Sequence, residues 1–293
     1  YKTATLSGGS NMNYWIISTD KWLEANRNKL LDGCSTMSAD GVSVLYTRDG
    51  RFKEDQLYSV SDDGFIASDG VILNLSELKS KYNTHELAGV IRRAEEQSGE
   101  MFFSEFVGPF SGARVKNGII TVWCNQTGDA PVFYYDGEFF CASDDFNLIV
   151  RQLRLHGIEY SFDEDAAIAV MTFGYQIDDS TMVSEIKRLE PGKYIRLENG
   201  RSEVKQYHRF RFDELDISFD EAVNEIDRGF RAALKRCCPR RNGDCCRRRC
   251  GCRRPRRKFR SWFLWCIPAG RCPSGRPSSP CCGTHRWWAT VPP

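Results

Sequence analysis

The stretch CNQTGDAPVFYYDGEFFCASDDFNLI, Cys124–Ile149, decides how the chain is to be read. Within it, PVFYYD and EFFCAS place large apolar residues on alternating positions around Asp136-Gly137-Glu138, the pattern of two antiparallel strands joined by a tight turn. The aromatics alternate as a strand core does, so they are read as packing and not as a stacking platform. Asp144-Asp145 then precedes FNLIVRQLRLHG, where an Asp caps the helix and Gly157 stops it. Those two carboxylates are candidates for a metal, with the helix cap as the preferred role.

The same alternation extends outward from this stretch. PFSGARVK and GIITVWC flank Asn117-Gly118 as another hairpin, and Thr127-Gly128-Asp129 reads as a further hairpin turn between GIITVWC and PVFYYD. Downstream, FDEDAAIAVMTFG is a predicted helix and GKYIRLENGRSEVKQYHRF a hairpin around Asn199-Gly200. Upstream, YWIIS (14–18), VSVLYT (42–47), GFIAS and GVILN read as strands, and DKWLEANRNKLLDG as one helix ending at Gly33. LSELKSKY and THELAGVIRRAEEQSG carry helical spacing; in the second, Leu87, Val90 and Ile91 share a face and Gly99 closes the end. SFDEAVNEIDRGFRAALKR (218–236) begins an amphipathic helix with Ser218 and Glu221 as a capping box. Helices flanking antiparallel sheets predict an α+β layered sandwich.

Composition splits the chain in two. Of 293 residues, those from Cys237 onward hold thirteen Arg, one Lys and one acid, which leaves 27 basic and 38 acidic residues in 1–236 and a body near −11. Such a body is a poor partner for nucleic acid or anionic lipid. Ten of the 13 cysteines also lie after Arg236. The remaining three, Cys34, Cys124 and Cys141, are scattered as in a reducing cytoplasm, with the last two read as buried thiols. No signal peptide is read at the start, and no apolar run reaches the ~20 residues of a membrane span.

The order of these segments resembles the class II glutamine amidotransferase domain of asparagine synthetase and its relatives. SDGVILNLSELKSKY is similar to that family's N-G-E-I-Y-N strand and E-L helix, and THELAGVIRRAEEQSGEMFFSEFVGPFSGARV to its D-x-E helix and L-x-G-x-F-A-F strand. CNQTGDAPVFYYDGEFFCASDDFNLI resembles R-D-x-x-G-x-K-P-L-Y-Y followed by F-A-S-E. EIKRLEPGKYIRLENG with KQYHRF resembles the I-x-x-L-P-G hairpin and closing Y-W. The likeness covers roughly 60–215, and 218–236 resembles the first helix of the ATP-using synthetase half. It implies an N-terminal-nucleophile-type αββα sandwich of antiparallel sheets, followed by the first helix of a truncated α/β synthetase domain. The implied domains are 1–215, 216–236 and an Arg/Cys/Pro-rich tail 237–293.

In active members an N-terminal Cys attacks the glutamine side-chain amide, its own α-amino group acts as base, and an Asn-Gly pair holds the oxyanion. The ammonia passes to a carboxylate activated as an acyl-adenylate, so Mg-ATP is implied for the intact enzyme. Here the sequence starts at Tyr1, with the true start expected upstream, and an internal Cys34 has no free α-amine. The Asn-Gly pair reads Asp69-Gly70, a carboxylate that repels an oxyanion beside a glycine that keeps its backbone donor. The Asp that binds the glutamine amine aligns with Thr84, and the R-D pair with Cys124-Asn125. The arginine that grips the substrate carboxylate has its nearest match in YTRDGRF, at Arg48 or Arg51. The expectation is therefore a degenerate domain with no catalytic residues, with Asp69, Gly70 and Thr84 as degenerate substrate-binding positions. No metal site and no cofactor of the chain's own are expected. Its partners in the intact family are a small-molecule amide donor or acceptor, with room for a homo-oligomer. Non-hydrolysing relatives of this type occur in β-lactam synthetases and lasso-peptide cyclases.

Other features are read conservatively. His85, His156, His208 and His285 form no ligand pattern. TLSGGSN (5–11) resembles a phosphate loop but lacks its Asp-Ser and is read as a polar turn. The tail has C-C and C-x-C pairs without C-x-x-C, which argues against zinc, and tryptophans unsuited to a basic nucleic-acid arm. It holds eight of 11 prolines, four of seven tryptophans and a single acid, as GC-rich DNA read out of frame does. Codons for Cys252–Arg257 read one nucleotide later permit Ala-Gly-Gly-Leu-Asp-Gly, close to the S-G-G-L-D-S loop of the synthetase half. Residues 237–293 are accordingly expected to be out-of-frame translation.

Overall fold

A computed structural model describes residues 13–48, 53–214 and 216–237. The chain divides after Glu214 into two compact units. TLSGGSN, Arg51, His285 and the tail after Cys237 lie outside the described residues.

The first unit is built on two six-stranded antiparallel sheets. One sheet runs in the order β10 (Ile186–Arg188), β8 (Phe133–Asp136), β9 (Phe140–Ser143), β1 (Trp15–Ser18), β3 (Val42–Tyr46), β2 (Ser35–Ala39). The other runs β12 (Arg201–Gln206), β11 (Lys193–Glu198), β7 (Ile119–Cys124), β6 (Phe110–Lys116), β5 (Gly64–Gly70), β4 (Leu57–Ser61).

Strand alternation sends one set of side chains between the sheets and the other set outward. Trp15, Ile17 and Val44 meet Phe65, Ala67, Val122 and Ile195 in the inter-sheet core. Outward residues meet helices. Phe110, Trp123 and Tyr194 pack under α3 (Leu75–Lys81), α4 (Leu87–Ser98) and a 3₁₀ segment carrying Phe102 and Phe103. On the far side, Ile16 and Leu45 pack with α1 (Trp22–Ala25) and α2 (Arg27–Leu30), and Tyr135 and Cys141 with α5 (Phe146–His156). The layers are thus helix, sheet, sheet, helix: the αββα sandwich that the resemblance implied. With helices over both sheets, the central strands are apolar on both faces, which is why YWIIS and EFFCAS read as near-continuous apolar runs.

Most punctuation is observed as expected. Asp145 accepts from Asn147 N at the start of α5, Gly157 ends it in the left-handed conformation, and Asn199-Gly200 turns β11 into β12 with φ of 51° and 72°. Four expectations need correction. DKWLEANRNKLLDG forms two short helices, because Asn26 leaves helical geometry and its side chain donates to Trp22 O (3.2 Å). Thr127-Gly128-Asp129 is a crossover and not a hairpin turn, since β7 and β8 belong to different sheets. GVILN is no strand beyond Gly70: it is a connection that bonds Val71 N to Pro109 O (2.8 Å) and Leu73 N to Val107 O (2.7 Å) before α3. Strands β2, β4 and β10 are present although periodicity did not announce them. All three are edge strands with one buried residue each, so they lack an apolar run.

The last helix of the first unit, α6 (Glu164–Phe173), is capped by Asp163 and buries only Ala166. The second unit contributes α7 (Phe219–Cys237), preceded by the expected box: Glu221 N donates to Ser218 Oγ (3.3 Å) and Ser218 N to Glu221 Oε2 (2.8 Å). No helix among the described residues is long and apolar enough to cross a membrane.

Candidate functional site

At one end of the inter-sheet core the side chains turn polar. Asp69 follows Phe65 and Ala67 on the inward face of β5 and pairs with Ser111 of β6. Among the described residues its carboxylate collects three donors: Asn13 Nδ2 at 3.0 Å on Oδ1, Tyr58 Oη at 2.9 Å on Oδ2, and the Gly70 N–H at 2.6 Å on Oδ1. Asn13 stands just before β1 in the opposite sheet, so this carboxylate ties the two sheets together. Burial, and then the adjacent Asp69 charge, hold the Tyr58 hydroxyl far above its usual range, so it donates and does not ionise.

Gly70 fits a constraint no other residue meets. Its φ is +125°, and a β-carbon there would lie 2.2 Å from Pro109 O and 2.6 Å from Phe110 Cα. The backbone donor expected from this glycine is present, and it is already engaged by Asp69.

Three further contacts close the same end. Trp15 N donates to Asp144 Oδ1 (3.0 Å), Trp15 Nε1 to Ser111 Oγ (3.3 Å), and Ser143 Oγ to Trp15 O (2.7 Å). Burial raises the Asp144 carboxyl well above the ordinary carboxylate range; the charges of Asp69 and Asp145 push it further, against the Trp15 N–H, which lowers it. Arg48 lies at the rim. Its guanidinium sits over the stacked rings of Tyr46 and Tyr58 (5.4 and 4.9 Å) and donates to Tyr58 O at 3.0 Å.

Thr84 lies in the turn before α4, its N–H on Lys79 O (2.9 Å) and its hydroxyl against Gly89, where a β-carbon would come within 2.0 Å. Asp69 and Gly70 are thus adjacent, and Thr84 is held in a turn on the helical side of the same sheet. Asn125 organises the crossover loop, accepting from Ala130 N (3.1 Å) and donating to Thr127 Oγ1 (2.7 Å).

The described thiols are displaced from this end or inert. Cys34 packs with Leu23 and Leu30 on the outer face of the first sheet, and burial raises its pKa. Cys124 is buried in the inter-sheet core and pushed up to about 11, and buried Cys141 is raised further still. Asp145 is a helix cap, and among the described residues no group of three or more His, Cys, Asp or Glu could hold a metal. His156 lies tilted against Phe139 with ring centroids 4.8 Å apart, and His208 meets Phe210 edge to face at 4.8 Å.

Asn13, Tyr58 and the inward carboxyl of Asp144 were not found from sequence. Their contacts with Asp69 and Trp15 span 56, 11 and 129 residues, beyond any local pattern. The one available signal was Asn13, a polar residue at the head of the apolar run YWIIS.

Comparison with known proteins matches a family model described as a glutamine amidotransferase domain to residues 49–208. Two similar solved structures are an allosteric regulatory enzyme of purine biosynthesis and the glutamine phosphoribosylpyrophosphate amidotransferase from B. subtilis complexed with ADP and GMP. Each is 13% identical over 67% of this chain and 43% of the other, with TM-scores of 0.40 and 0.39. The chain therefore spans less than half the length of either. A search of curated proteins gave no match.

Proposed function

The chain belongs to the glutamine amidotransferase domain family, and from that premise we propose that it is the amidotransferase-like part of an asparagine-synthetase-like, ATP-dependent amide-forming ligase, with a glutaminase centre that no longer hydrolyses glutamine. The observation that carries this is the Asp69 carboxylate with its three donors. Attack on an amide builds negative charge on the carbonyl oxygen, and losing a single preorganised donor there costs roughly 10²–10³ in rate. Here one side-chain donor is replaced by a negative charge and the neighbouring N–H is taken. Asp69 has this effect whatever residues precede Asn13.

On this reading Mg-ATP and the carboxylate substrate belong to the synthetase half, of which α7 is the first helix. Residues 237–293 would be that half read out of frame, a point tested by the nucleotide sequence beyond codon 230. The three unpaired body thiols support a cytoplasmic setting. A second reading, a docking subunit beside a β-lactam-synthetase-like or lasso-peptide-cyclase-like enzyme, is favoured by the two packed sheets being kept together with the Asn13–Asp69 bond between them.

The test is ammonia and glutamate release from glutamine by the purified chain. Release at the uncatalysed background is expected. Turnover that is lost when Cys34 or Cys124 is replaced by Ala would sink the proposal and name the nucleophile.

A further inference from the structure

The chain contains three Asn-Gly pairs, and two of them turn hairpins of the same sheet with nearly the same backbone. Asn117-Gly118 joins β6 to β7 with φ of 51° and 76°, and Asn199-Gly200 joins β11 to β12 with 51° and 72°. Asn242-Gly243 lies outside the described residues. Both hairpin turns are exposed, yet their surroundings differ. At the first, Asn117 N donates to Asp63 O (2.9 Å) in the β4–β5 turn, and Gly118 N to Asp40 Oδ2 (3.0 Å) in the β2–β3 turn of the other sheet. Lys116 Nζ adds an ion pair to Asp63 at 3.6 Å. At the second, neither N–H meets an acceptor among the described residues, and β12 is the outermost strand of its sheet.

We propose that Asn199 is a site of spontaneous deamidation and that Asn117 is shielded from the same reaction. The Gly200 nitrogen gives up its proton and attacks the carbonyl carbon of the Asn199 side chain. A new C–N bond closes a succinimide ring as the bond to the amide nitrogen breaks, and that nitrogen takes up a proton and leaves as ammonia. Water then opens the ring at either carbonyl, leaving aspartate or isoaspartate. Two things must be free: the glycine N–H to ionise, and the asparagine to leave its left-handed turn. At Asn117 the Asp40 carboxylate holds the proton on Gly118 N, and the bond to Asp63 O holds the turn. Neither restraint acts at Asn199. The product adds a negative charge beside Glu198 at the tip of an edge hairpin, and the isoaspartyl form also lengthens the main chain of the turn. None of this chemistry passes through the Asp69 end of the sandwich.

The test is peptide mapping of the full chain by mass spectrometry after timed incubation at mildly alkaline pH, without glutamine. Aspartyl and isoaspartyl products are expected at 199, forming at least about tenfold faster than at 117, the factor that one hydrogen bond to a charged group is worth. In denaturant the two rates are expected to converge. Asp40→Gly, which suits a residue at φ 52°, is expected to speed conversion at 117 and leave 199 unchanged. Ammonia from this reaction is limited to a stoichiometric amount and appears without glutamate, so the outcome is separate from that of the glutamine assay. Equal rates at the two sites in the folded chain overturn the proposal, as does the absence of product at 199. So does a difference that persists in denaturant, which would assign it to sequence neighbours, or an Asp40→Gly variant that leaves 117 as slow as before.

Discussion

The middle of the inter-sheet space and its polar end are walled by the same strands, yet they are held by opposite means. In the middle, Trp15, Ile17, Phe65, Ala67 and Val122 exclude water and make few directional bonds. At the end, Asn13 and Tyr58 bond the Asp69 carboxylate, and Trp15 bonds Ser111 and Asp144. Apolar packing tolerates any side chain that fills the volume, while a buried polar network stands or falls with each partner. At the polar end, the bond from Asn13 to Asp69 fastens one sheet to the other.

The comparison is tested hardest at Trp15, which belongs to both regions: its ring is fully buried in the core and its Nε1 reaches Ser111. Trp15→Ala should cost about 3–5 kcal/mol, the range for truncating a buried aromatic. Trp15→Phe, which keeps most of the volume and drops the polar contact, should cost less than half as much. Denaturant midpoints of the two variants decide which half of the residue matters. Equal losses would mean that the hydrogen bond and not the packing holds this strand.

Asp69 probes the polar end alone. Asp69→Ala leaves the Asn13 amide, the Tyr58 hydroxyl and the Gly70 N–H without their shared acceptor. A buried donor left unsatisfied costs about 1–3 kcal/mol. Because Asn13 and Gly70 are only part-buried and can turn to water, a total of about 2–4 kcal/mol is expected. Asp69→Asn keeps one acceptor oxygen and should lose about half of that. Thermal unfolding of both variants measures it. A harmless Asp69→Ala would mean that the carboxylate is no fastener and would reopen the end as a ligand site.

How much of this was legible follows the same division. The middle could be read from YWIIS, GIITVWC and EFFCAS, because alternation and turn residues are local signals. The helix caps at Ser218 and Asp145, and the Asn199-Gly200 turn, were legible for the same reason. Strands β2 and β4 were not, because an edge strand with one buried side chain carries no apolar run. The crossover from β7 to β8 was misread as a hairpin because Thr127-Gly128-Asp129 has turn chemistry whichever sheet follows it. At the site, Asp69-Gly70 stood out only through resemblance. Asn13 is brought to Asp69 by the packing of one sheet on the other, and Asp144 to Trp15 by the pairing of β1 with β9, and no spacing rule anticipates either.

Asp144 offers the smallest effect and the one with a reversed sign. Its carboxyl is raised well above 3.8 by burial and by the charges of Asp69 and Asp145, against the Trp15 N–H. A group whose folded pKa lies above its unfolded value adds stability that is fully present below the unfolded pKa and is lost as pH rises through the folded one. For Asp144 that contribution is present below about pH 4 and falls away as pH rises through the folded value, because the ionised form faces two like charges. Asp144→Asn removes the charge and keeps an oxygen for Trp15 N. It should therefore stabilise the fold near pH 7 by up to about 1 kcal/mol, a value limited by the solvent contact that Asp144 retains, and the gain should vanish near pH 3. Unfolding free energies at the two pH values measure it. A variant less stable than the parent at pH 7 would mean that the ionised Asp144 is itself a bonding partner, and the polar end would then be held by charge as well as by hydrogen bonds.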